Sequence, residues 1–440
     1  MSRPTSPSRL RGELWDNMHY LFRDVNDRMV HASFTYGFRI DPDVFLRTMD
    51  HIFQCVPVFH ASFEVGFFRS HWRVHPYDPE TIVSFCEIAD ADLEERQERF
   101  LADYIAPSEP QQLRIRVFYH GEKSTLCLLV SHMCMDAGSL KYFLASLCRI
   151  YGQISRGETP APEKMKMGDR AYTAVYECFS PDKRKGALRQ LKNINEKDDS
   201  FFPLTPEAEG DRIMIIHRKL PAGMLPRMRA CAKKTGATVN DLILTAYFES
   251  LYEIAGYDAG RGLSISCAID LRRHLSGPAK ESITNHTAWM QCRTPGKGSR
   301  PSETLDAVRK SVAGFKSDPY MGLHGLPLIG TIYNVLPHAV AEFGIKVVYD
   351  NPPTSLSNIG QLDGDSLRLL GNPPVDGFIT GAVKYKPYVL LSACSLGDDL
   401  TIGMCIRGNA EDRAIVERFF DLFIRNTGLL LEDLGTKADS

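Results

Sequence analysis

The chain has 440 residues, and its 52 Lys and Arg residues nearly balance its 54 Asp and Glu residues, for a net charge of −2. This balance, without a long basic block, argues against nucleic acid as a partner, because nucleic-acid binding needs a concentrated basic surface. Hydrophobic residues are 43% and charged residues 24% of the chain. These values are typical of a globular protein, and the length predicts two domains of about 200 residues each.

The N-terminus and the cysteines both predict a cytoplasmic protein. The first residues, MSRPTSPSRLRGELW, are polar, and no run of about 18 apolar residues occurs, so neither a signal segment nor a transmembrane helix is expected. The 11 cysteines are scattered without a C-x-x-C pair, which favours reduced thiols. Cys134 is a weak candidate for a nucleophile, because no neighbour in the sequence would lower the pKa of its thiol.

The first half of the chain reads as a mixture of strands and helices. Asp41 and Pro42 form a typical helix start, and residues 13–27 show no clean periodicity. The strands are predicted at 29–40, 61–68, 72–75, 113–120 and 125–131, and the helices at 41–55, 90–104 and 140–154. Residues 182–210 are predicted to connect an N-terminal lobe, 1–181, to a C-terminal lobe, 211–440.

The second half continues the mixture without regular β-α-β alternation. Its strands are predicted at 212–220, 262–270, 285–293, 346–350, 356–359, 381–383, 388–395 and 400–407, and its helices at 221–235, 238–256, 302–316 and 410–427. The fold class is therefore α/β, with mixed sheets and helices packed outside them. Neither a G-x-G-x-x-G after a strand nor a P-loop is present, so nucleotide phosphate chemistry has no visible site.

The strongest candidates for catalytic residues lie in one segment, where a predicted strand is followed by a predicted helix. The apolar run 126–130 ends in Ser131 and His132, Asp136 follows, and a small-residue turn then leads into the predicted helix at 140–154. A histidine at such a strand-to-helix corner is well placed to take and return a proton in a cleft. The alternative is structural: a half-buried histidine beside an acid that caps the helix.

Three motifs taken together resemble one family. They are the sequence Ser-His-Met-Cys-Met-Asp-Ala-Gly at 131–138, Ile-Asp-Leu-Arg at 269–272 and Ser-Asn-Ile-Gly at 357–360. Their order and spacing resemble the superfamily of chloramphenicol acetyltransferase and the peptide-synthetase condensation domains, whose free-standing members include alcohol acetyltransferases and polyketide-associated acyltransferases. The resemblance implies two similar α/β lobes with an active-site tunnel between them.

The resemblance also implies roles for individual residues. His132 and Asp136 would be the catalytic pair: His132 would be the base that removes a proton from an acceptor hydroxyl or amine, and Asp136 would support it through a structural ion pair with Arg272. Asn358 and Gly360 match an Asn-x-Gly on the strand that crosses over from the second lobe.

Three further residues are predicted at the tunnel or the oxyanion, and two positions depart from the family. Ser357 would lend a hydroxyl to the oxyanion, Gly138 belongs to the turn after the acid, and Asn285 either lines the tunnel or is structural. Ser131 stands where condensation domains usually repeat histidine, and Ala137 where many members have glycine. Both departures favour a free-standing acyltransferase over peptide condensation.

These observations predict an acyltransferase. A thioester donor, either acyl-coenzyme A or a phosphopantetheinyl carrier protein, would pass its acyl group to a small-molecule hydroxyl or amine, with no metal or organic cofactor and as a monomer. The alternatives are an amide-forming condensation enzyme acting on carrier-bound substrates and an inactive carrier-protein-binding module of the same fold. His286, His324 and His338 have no partner pattern and are assigned to structure or surface.

Overall fold

The structure is a computed structural model that describes residues 8–161, 165–189, 200–323, 326–348 and 353–437. The strands are β1 (Arg9–Arg11), β2 (Met29–Tyr36), β3 (Ala61–Val65), β4 (Ser70–Val74), β5 (Val83–Glu87), β6 (Leu113–His120), β7 (Lys123–Ser131), β8 (Arg212–Lys219), β9 (Leu263–Asp270), β10 (Thr287–Thr294), β11 (Thr354–Leu362), β12 (Asp376–Thr380), β13 (Val389–Leu396) and β14 (Asp399–Gly408).

The α-helices pack around these strands. They are α1 (Leu14–Leu21), α2 (Pro42–Cys55), α3 (Pro79–Ile82), α4 (Leu93–Leu101), α5 (Ala137–Ser155), α6 (Thr173–Tyr176), α7 (Pro181–Arg189), α8 (Met224–Thr235), α9 (Val239–Ala255), α10 (Pro301–Lys316), α11 (Leu326–Val335), α12 (His338–Val348) and α13 (Ala410–Lys437). The mixed α/β class predicted from the sequence is confirmed.

Each lobe is built on its own mixed sheet. The first lobe holds a five-stranded sheet in the order β12-β2-β7-β6-β5, and the second holds a six-stranded sheet in the order β10-β9-β11-β13-β14-β8. A three-stranded sheet, β1-β4-β3, extends the first lobe. Separate buried apolar clusters fill the two lobes, since each sheet buries its apolar face against its own helices.

One strand from the second half of the chain belongs to the sheet of the first lobe. β12 pairs antiparallel with β2, with Phe378 opposite Ser33, whereas β11 pairs in parallel with β13 and β9 inside the second lobe. The prediction that Asn358 and Gly360 lie on the crossover strand is therefore wrong, because they lie on β11. The crossover strand also means that the 1–181 and 211–440 division does not separate the two sheets.

A third, smaller apolar cluster lies where the halves of the chain meet. It joins Trp15 and Met18 of α1 to Leu271 after β9, and to Tyr333 and Ala341 of α11 and α12. Helix α1 was missed by the periodicity of 13–27, although a capping box between Glu13 and Asp16 marks its start. This helix forms part of the cavity wall described below.

Three sequence predictions outside the site need correction. The strand predicted at 346–350 is wrong for residues 346–348, because these residues form the end of α12. Residues 349 and 350 lie outside the described residues. The strand predicted at 381–383 is wrong, because the extended segment before it, β12, is the one that pairs. The predicted connection 182–210 begins inside α7, and 190–199 lie outside the described residues.

Candidate active site

A cavity of about 190 Å³ opens between the two lobes and has walls from both. The first half of the chain contributes His19, His132 and Lys141, and the second contributes Thr287 and Trp289. The residues lining the cavity also include Trp15, Met18, Phe22, Asn26, Asp136, Ala137, Gly138, Ser266, Asp270, Ser357, Asn358 and Lys384. The walls therefore combine aromatic surface with several polar side chains, as substrate sites commonly do.

His132 follows the last residue of β7, and its orientation is fixed by Asn285. The amide nitrogen of Asn285 donates to the carbonyl oxygens of His132, at 2.8 Å, and Met133, at 3.3 Å. Its amide oxygen therefore faces Nδ1 of His132, at 3.1 Å. Because that oxygen can only accept, Nδ1 carries the proton and the lone pair of Nε2 remains available.

The surroundings of His132 keep its imidazole neutral. Burial lowers the pKa of His132, although hydrogen bonds and the charge of Asp136 act in the opposite direction. Nε2 has no hydrogen-bond partner within the described part of the chain, and the backbone N–H of His132 donates to the carbonyl of Arg28 at 2.7 Å. A neutral imidazole with an unengaged Nε2 at a cavity wall can act as a general base.

A second histidine, His19, lies against His132, and no motif in the sequence predicts this contact. The ring centroids of His19 and His132 are 4.2 Å apart with an interplanar angle of 32°. Burial, followed by the charge of His132, lowers the pKa of His19 well below its ordinary value. His19 lies on α1, far from the other site residues in sequence, and its proximity to His132 is visible only in three dimensions.

Asp136, at the wall of the cavity, forms a buried ion pair with Arg272. Its Oδ2 lies 2.9 Å from Nη1 of Arg272 and accepts from the backbone N–H of His286 at 2.7 Å. Its Oδ1 accepts from the N–H of Ser139 at 2.9 Å, so the carboxylate also caps α5. Burial raises the pKa of Asp136, but Arg272 and these hydrogen bonds outweigh it and hold the pKa well below its usual range.

Arg272 ties the second lobe to the start of α5. Its Nη2 donates to Oγ of Ser139 at 2.7 Å and to the carbonyl of Thr284 at 3.2 Å. Gly138 is packed against this guanidinium, since a Cβ added there would lie 2.7 Å from Nη1. The ion pair thus fixes the loop that carries His132 to the opposite lobe, and Gly138 makes the room for it.

Only part of the Ser-Asn-Ile-Gly motif lines the cavity. Ser357 and Asn358 line the cavity, and Gly360 is not among its lining residues. The side-chain amide of Asn358 donates to Asn240 and accepts from the N–H of Gly360, both at 2.9 Å. Gly360 has a φ of 77° at a bulge of β11, so these two residues chiefly shape the strand.

The remaining candidates lie outside the catalytic arrangement. Cys134 is buried, and burial raises the pKa of its thiol. Burial also lowers the pKa of His286 to about 4, and His338 is buried with Nε2 3.2 Å from Oδ1 of Asn17. His324 lies outside the described residues.

Two features are absent from the described residues. These residues contain no group of three or more His, Cys, Asp and Glu side chains arranged to hold a metal ion. Within the same residues, none of the helices has both the length and the apolar character needed to cross a bilayer.

No protein-family model matches the chain. Among curated proteins, it is similar to surfactin synthase subunit 1 of Bacillus subtilis strain 168, with 23% identity over 256 residues. That match covers 54% of this chain but only 7% of the synthase subunit. The chain therefore corresponds to a small part of this relative, and the activity of the whole relative does not transfer to it.

Solved structures give a likeness over the whole chain. The first condensation domain of the CDA synthetase matches with a TM-score of 0.71 and 12% identity, covering 96% of this chain and 97% of that one. The TRI3 trichothecene 15-O-acetyltransferase from Fusarium sporotrichioides matches with a TM-score of 0.69 and 12% identity, covering 97% and 96%. The two-lobed fold implied by the sequence resemblance is thereby confirmed, and at these identities the likeness concerns the fold alone.

Proposed function

We propose that the protein is an acyltransferase that moves an acyl group from a thioester to a hydroxyl or amine acceptor, with His132 as general base. The observation that carries this proposal is the hydrogen bond between Nδ1 of His132 and Oδ1 of Asn285, which leaves Nε2 unengaged at the cavity between the lobes. A fold shared with condensation domains and an acetyltransferase supports the same reaction class.

The reaction begins when the acceptor loses its proton as it attacks the thioester carbonyl. Nε2 of His132 takes that proton, and the oxygen or nitrogen of the acceptor forms the new bond to the carbonyl carbon. A positioned histidine contributes about 10² to 10⁴ in rate to such a step. The lowered pKa of His132 keeps the base neutral at physiological pH, as the step requires.

The tetrahedral intermediate then collapses with loss of the thiol. Its carbonyl carbon–sulfur bond breaks, and the imidazolium of His132 returns its proton to the leaving sulfur, so the base is restored. The oxyanion of the intermediate needs a donor, each worth about 10² to 10³ in rate. Ser357 is our candidate for this donor, because it lines the cavity and its hydroxyl makes no hydrogen bond to another described residue.

Amide-forming condensation on carrier-bound substrates is the second candidate. Of the two solved structures reported above, the condensation domain has the higher TM-score, 0.71, and this favours the second candidate. Ser131 is buried at the end of β7, and its N–H donates to the carbonyl of Gln112 at 2.9 Å. The first histidine of a repeated pair is therefore replaced by a buried serine, which is why we rank this candidate second.

The experiment is acceptor-dependent thiol release. Purified protein is incubated with acetyl-, butyryl- and octanoyl-coenzyme A and with the same acyl groups on a phosphopantetheinyl carrier protein, each with a panel of alcohols and amines. Release that requires both donor and free acceptor supports acyl transfer, whichever thioester carries the acyl group. In a parallel reaction with an amine acceptor that is itself carrier-bound, release confined to that acceptor favours condensation. Absence of acceptor-dependent release from every donor, with the carrier protein still bound, would leave a binding module.

A further inference from the structure

The cavity has a positively charged corner that the proposed chemistry does not use. It is formed by Asn26, which follows α1, and Lys384, which follows β12. The backbone of Lys384 is held by its N–H donating to Cys405, at 2.9 Å, and by its carbonyl accepting from Arg407, at 3.1 Å. The corner is therefore a fixed part of the fold and not a mobile loop.

The two side chains of this corner lie side by side. Asn26 and Lys384 face each other in an antiparallel bridge, flanked by the bonds Asp27 N–H to Val383 carbonyl, at 3.1 Å, and Tyr385 N–H to Val25 carbonyl, at 3.0 Å. Residues opposed between two such bonds form a non-hydrogen-bonded pair, in which the side chains are closest and point to the same face. Both residues line the cavity.

Both side chains have hydrogen-bond donors without a partner among the described residues. The Oδ1 of Asn26 accepts from the N–H of Arg28 at 3.0 Å, and its amide NH₂ bonds to no other described residue. The ammonium of Lys384 likewise has no hydrogen bond or ion pair within the described ranges. By contrast, the other cavity lysine, Lys141, donates to the carbonyl of Ile359.

The acid that acts on the charge of Lys384 is Asp27, but no hydrogen bond or ion pair joins the two groups among the described residues. Asp27 is buried, and its Oδ1 accepts from the N–H groups of Met29 and Val383, both at 3.0 Å. Burial raises the pKa of Asp27 to about 7, so that it is partly protonated at neutral pH. Burial likewise lowers the pKa of Lys384 to about 8, and its charge opposes protonation of His19 and His132.

We propose that Asn26 and Lys384 bind a carboxylate carried by one of the substrates. An ammonium and an amide NH₂ on one face supply two donors to the two oxygens of a carboxylate. A desolvated ammonium without a hydrogen-bonded counter-ion is costly, and a bound carboxylate would supply that counter-ion. This inference rests on the proposed function, since the carboxylate would belong to the acyl group or to the acceptor.

The binding test uses glutarate and its uncharged analogue glutaramide, measured by isothermal titration calorimetry with the full chain. Wild-type protein is expected to prefer glutarate by about 10- to 100-fold, the value of charge-assisted hydrogen bonds. Lys384→Met removes this preference, Lys384→Arg keeps most of it, and Asn26→Ala reduces it several-fold. Lys141→Met is the matched control and keeps the preference, because its ammonium is already bonded.

The kinetic test finds which substrate carries the carboxylate. Glutaryl-coenzyme A is compared with its methyl ester as donor, and 3-hydroxybutyrate with methyl 3-hydroxybutyrate as acceptor, using kcat/KM for wild type and Lys384→Met. A preference of 10-fold or more in one arm, lost in the variant, identifies the donor or the acceptor. Turnover without a Lys384-dependent preference in either arm would overturn the inference.

The two tests separate this inference from the proposed function. If no thioester turns over, acyl transfer fails, while the calorimetric comparison still decides the carboxylate site. If wild type binds glutarate and glutaramide equally, or if Lys384→Met keeps the preference, the site is overturned whether or not the protein transfers acyl groups.

Discussion

The Nδ1 atom of His132 and the Oδ1 atom of Asn285 lie 3.1 Å apart, with His132 at the end of β7 in the first lobe and Asn285 just before β10 in the second. The proposed base is therefore oriented by a residue that approaches from the opposite lobe. Catalysis should depend on this contact as well as on the histidine itself, because a small misplacement of a catalytic group is costly.

Asn285→Asp tests the orientation of the base. A carboxylate against Nδ1 stabilises the imidazolium and raises the pKa of His132, typically by about one unit or more. Since the base must be neutral, the acid limb of the kcat/KM profile moves to higher pH by the same amount. Asn334→Asp, at an exposed position, is the control and leaves the profile in place. An unshifted acid limb in Asn285→Asp would contradict the assigned contact.

Asp136→Asn should destabilise the fold. Removing one member of a buried ion pair leaves an uncompensated charge, at a cost of about 3 to 5 kcal/mol. Urea denaturation measures the free energy of unfolding, and the double variant Asp136→Asn with Arg272→Met should recover part of the loss. A stable but inactive Asp136→Asn would indicate instead that Asp136 takes part directly in catalysis.

The contribution of Asp136 also depends on pH. Its pKa is lowered in the folded protein from an ordinary value of 3.8, so its stabilisation is fully present above that value. The stabilisation is lost as the pH falls through the folded pKa, because protonation breaks the ion pair. The difference in unfolding free energy between wild type and Asp136→Asn should therefore shrink as the pH falls below about 4. A difference that is independent of pH would contradict this linkage.

Gly138→Ala tests the packing of the loop against the guanidinium. The added Cβ would lie 2.7 Å from Nη1 of Arg272, so the ion pair must shift, and overpacking of this kind costs about 1 to 3 kcal/mol. Gly314→Ala in α10 is the matched control, because its added Cβ meets no atom within 4 Å and should leave stability unchanged or slightly higher. Equal Tm values for the two variants would contradict the packing argument.

His19 should act as a positioning residue through its ring. His19→Ala removes the ring that packs against His132 and is expected to lower kcat by about 10- to 100-fold. His19→Phe keeps an aromatic ring there and should stay close to wild type. If His19→Phe is as impaired as His19→Ala, the nitrogens of the imidazole are required, as its hydrogen bond to Asn285 would explain, and the assignment of a role through ring packing alone fails.

Local patterns predicted much of the scaffold. The alternation in 113–120 and the apolar run after it give β6 and β7, and Asp41 and Thr238 cap α2 and α9 through side-chain hydrogen bonds. These signals succeed because caps and periodicity act over a few residues. The strand predicted at 346–350 failed because a short apolar run does not distinguish a strand from the end of a helix such as α12.

The site was predicted only where a motif carries it. The sequence brought Asp136 and Arg272 together through a family resemblance, and the structure places them 2.9 Å apart. His19, Asn26 and Lys384 come from segments without a motif and line the same cavity as His132 only through the packing of α1 and the crossover of β12. No spacing of residues in the sequence predicts such contacts, because they depend on tertiary structure.

The most direct test is the rate of acceptor-dependent thiol release by His132→Ala relative to wild type, at saturating donor and acceptor. His51→Ala, on α2 outside the cavity lining, is the control and should match wild type. We predict that folded His132→Ala is slower by about 10² to 10⁴. A loss of less than about tenfold would contradict His132 as the base that takes the proton of the acceptor.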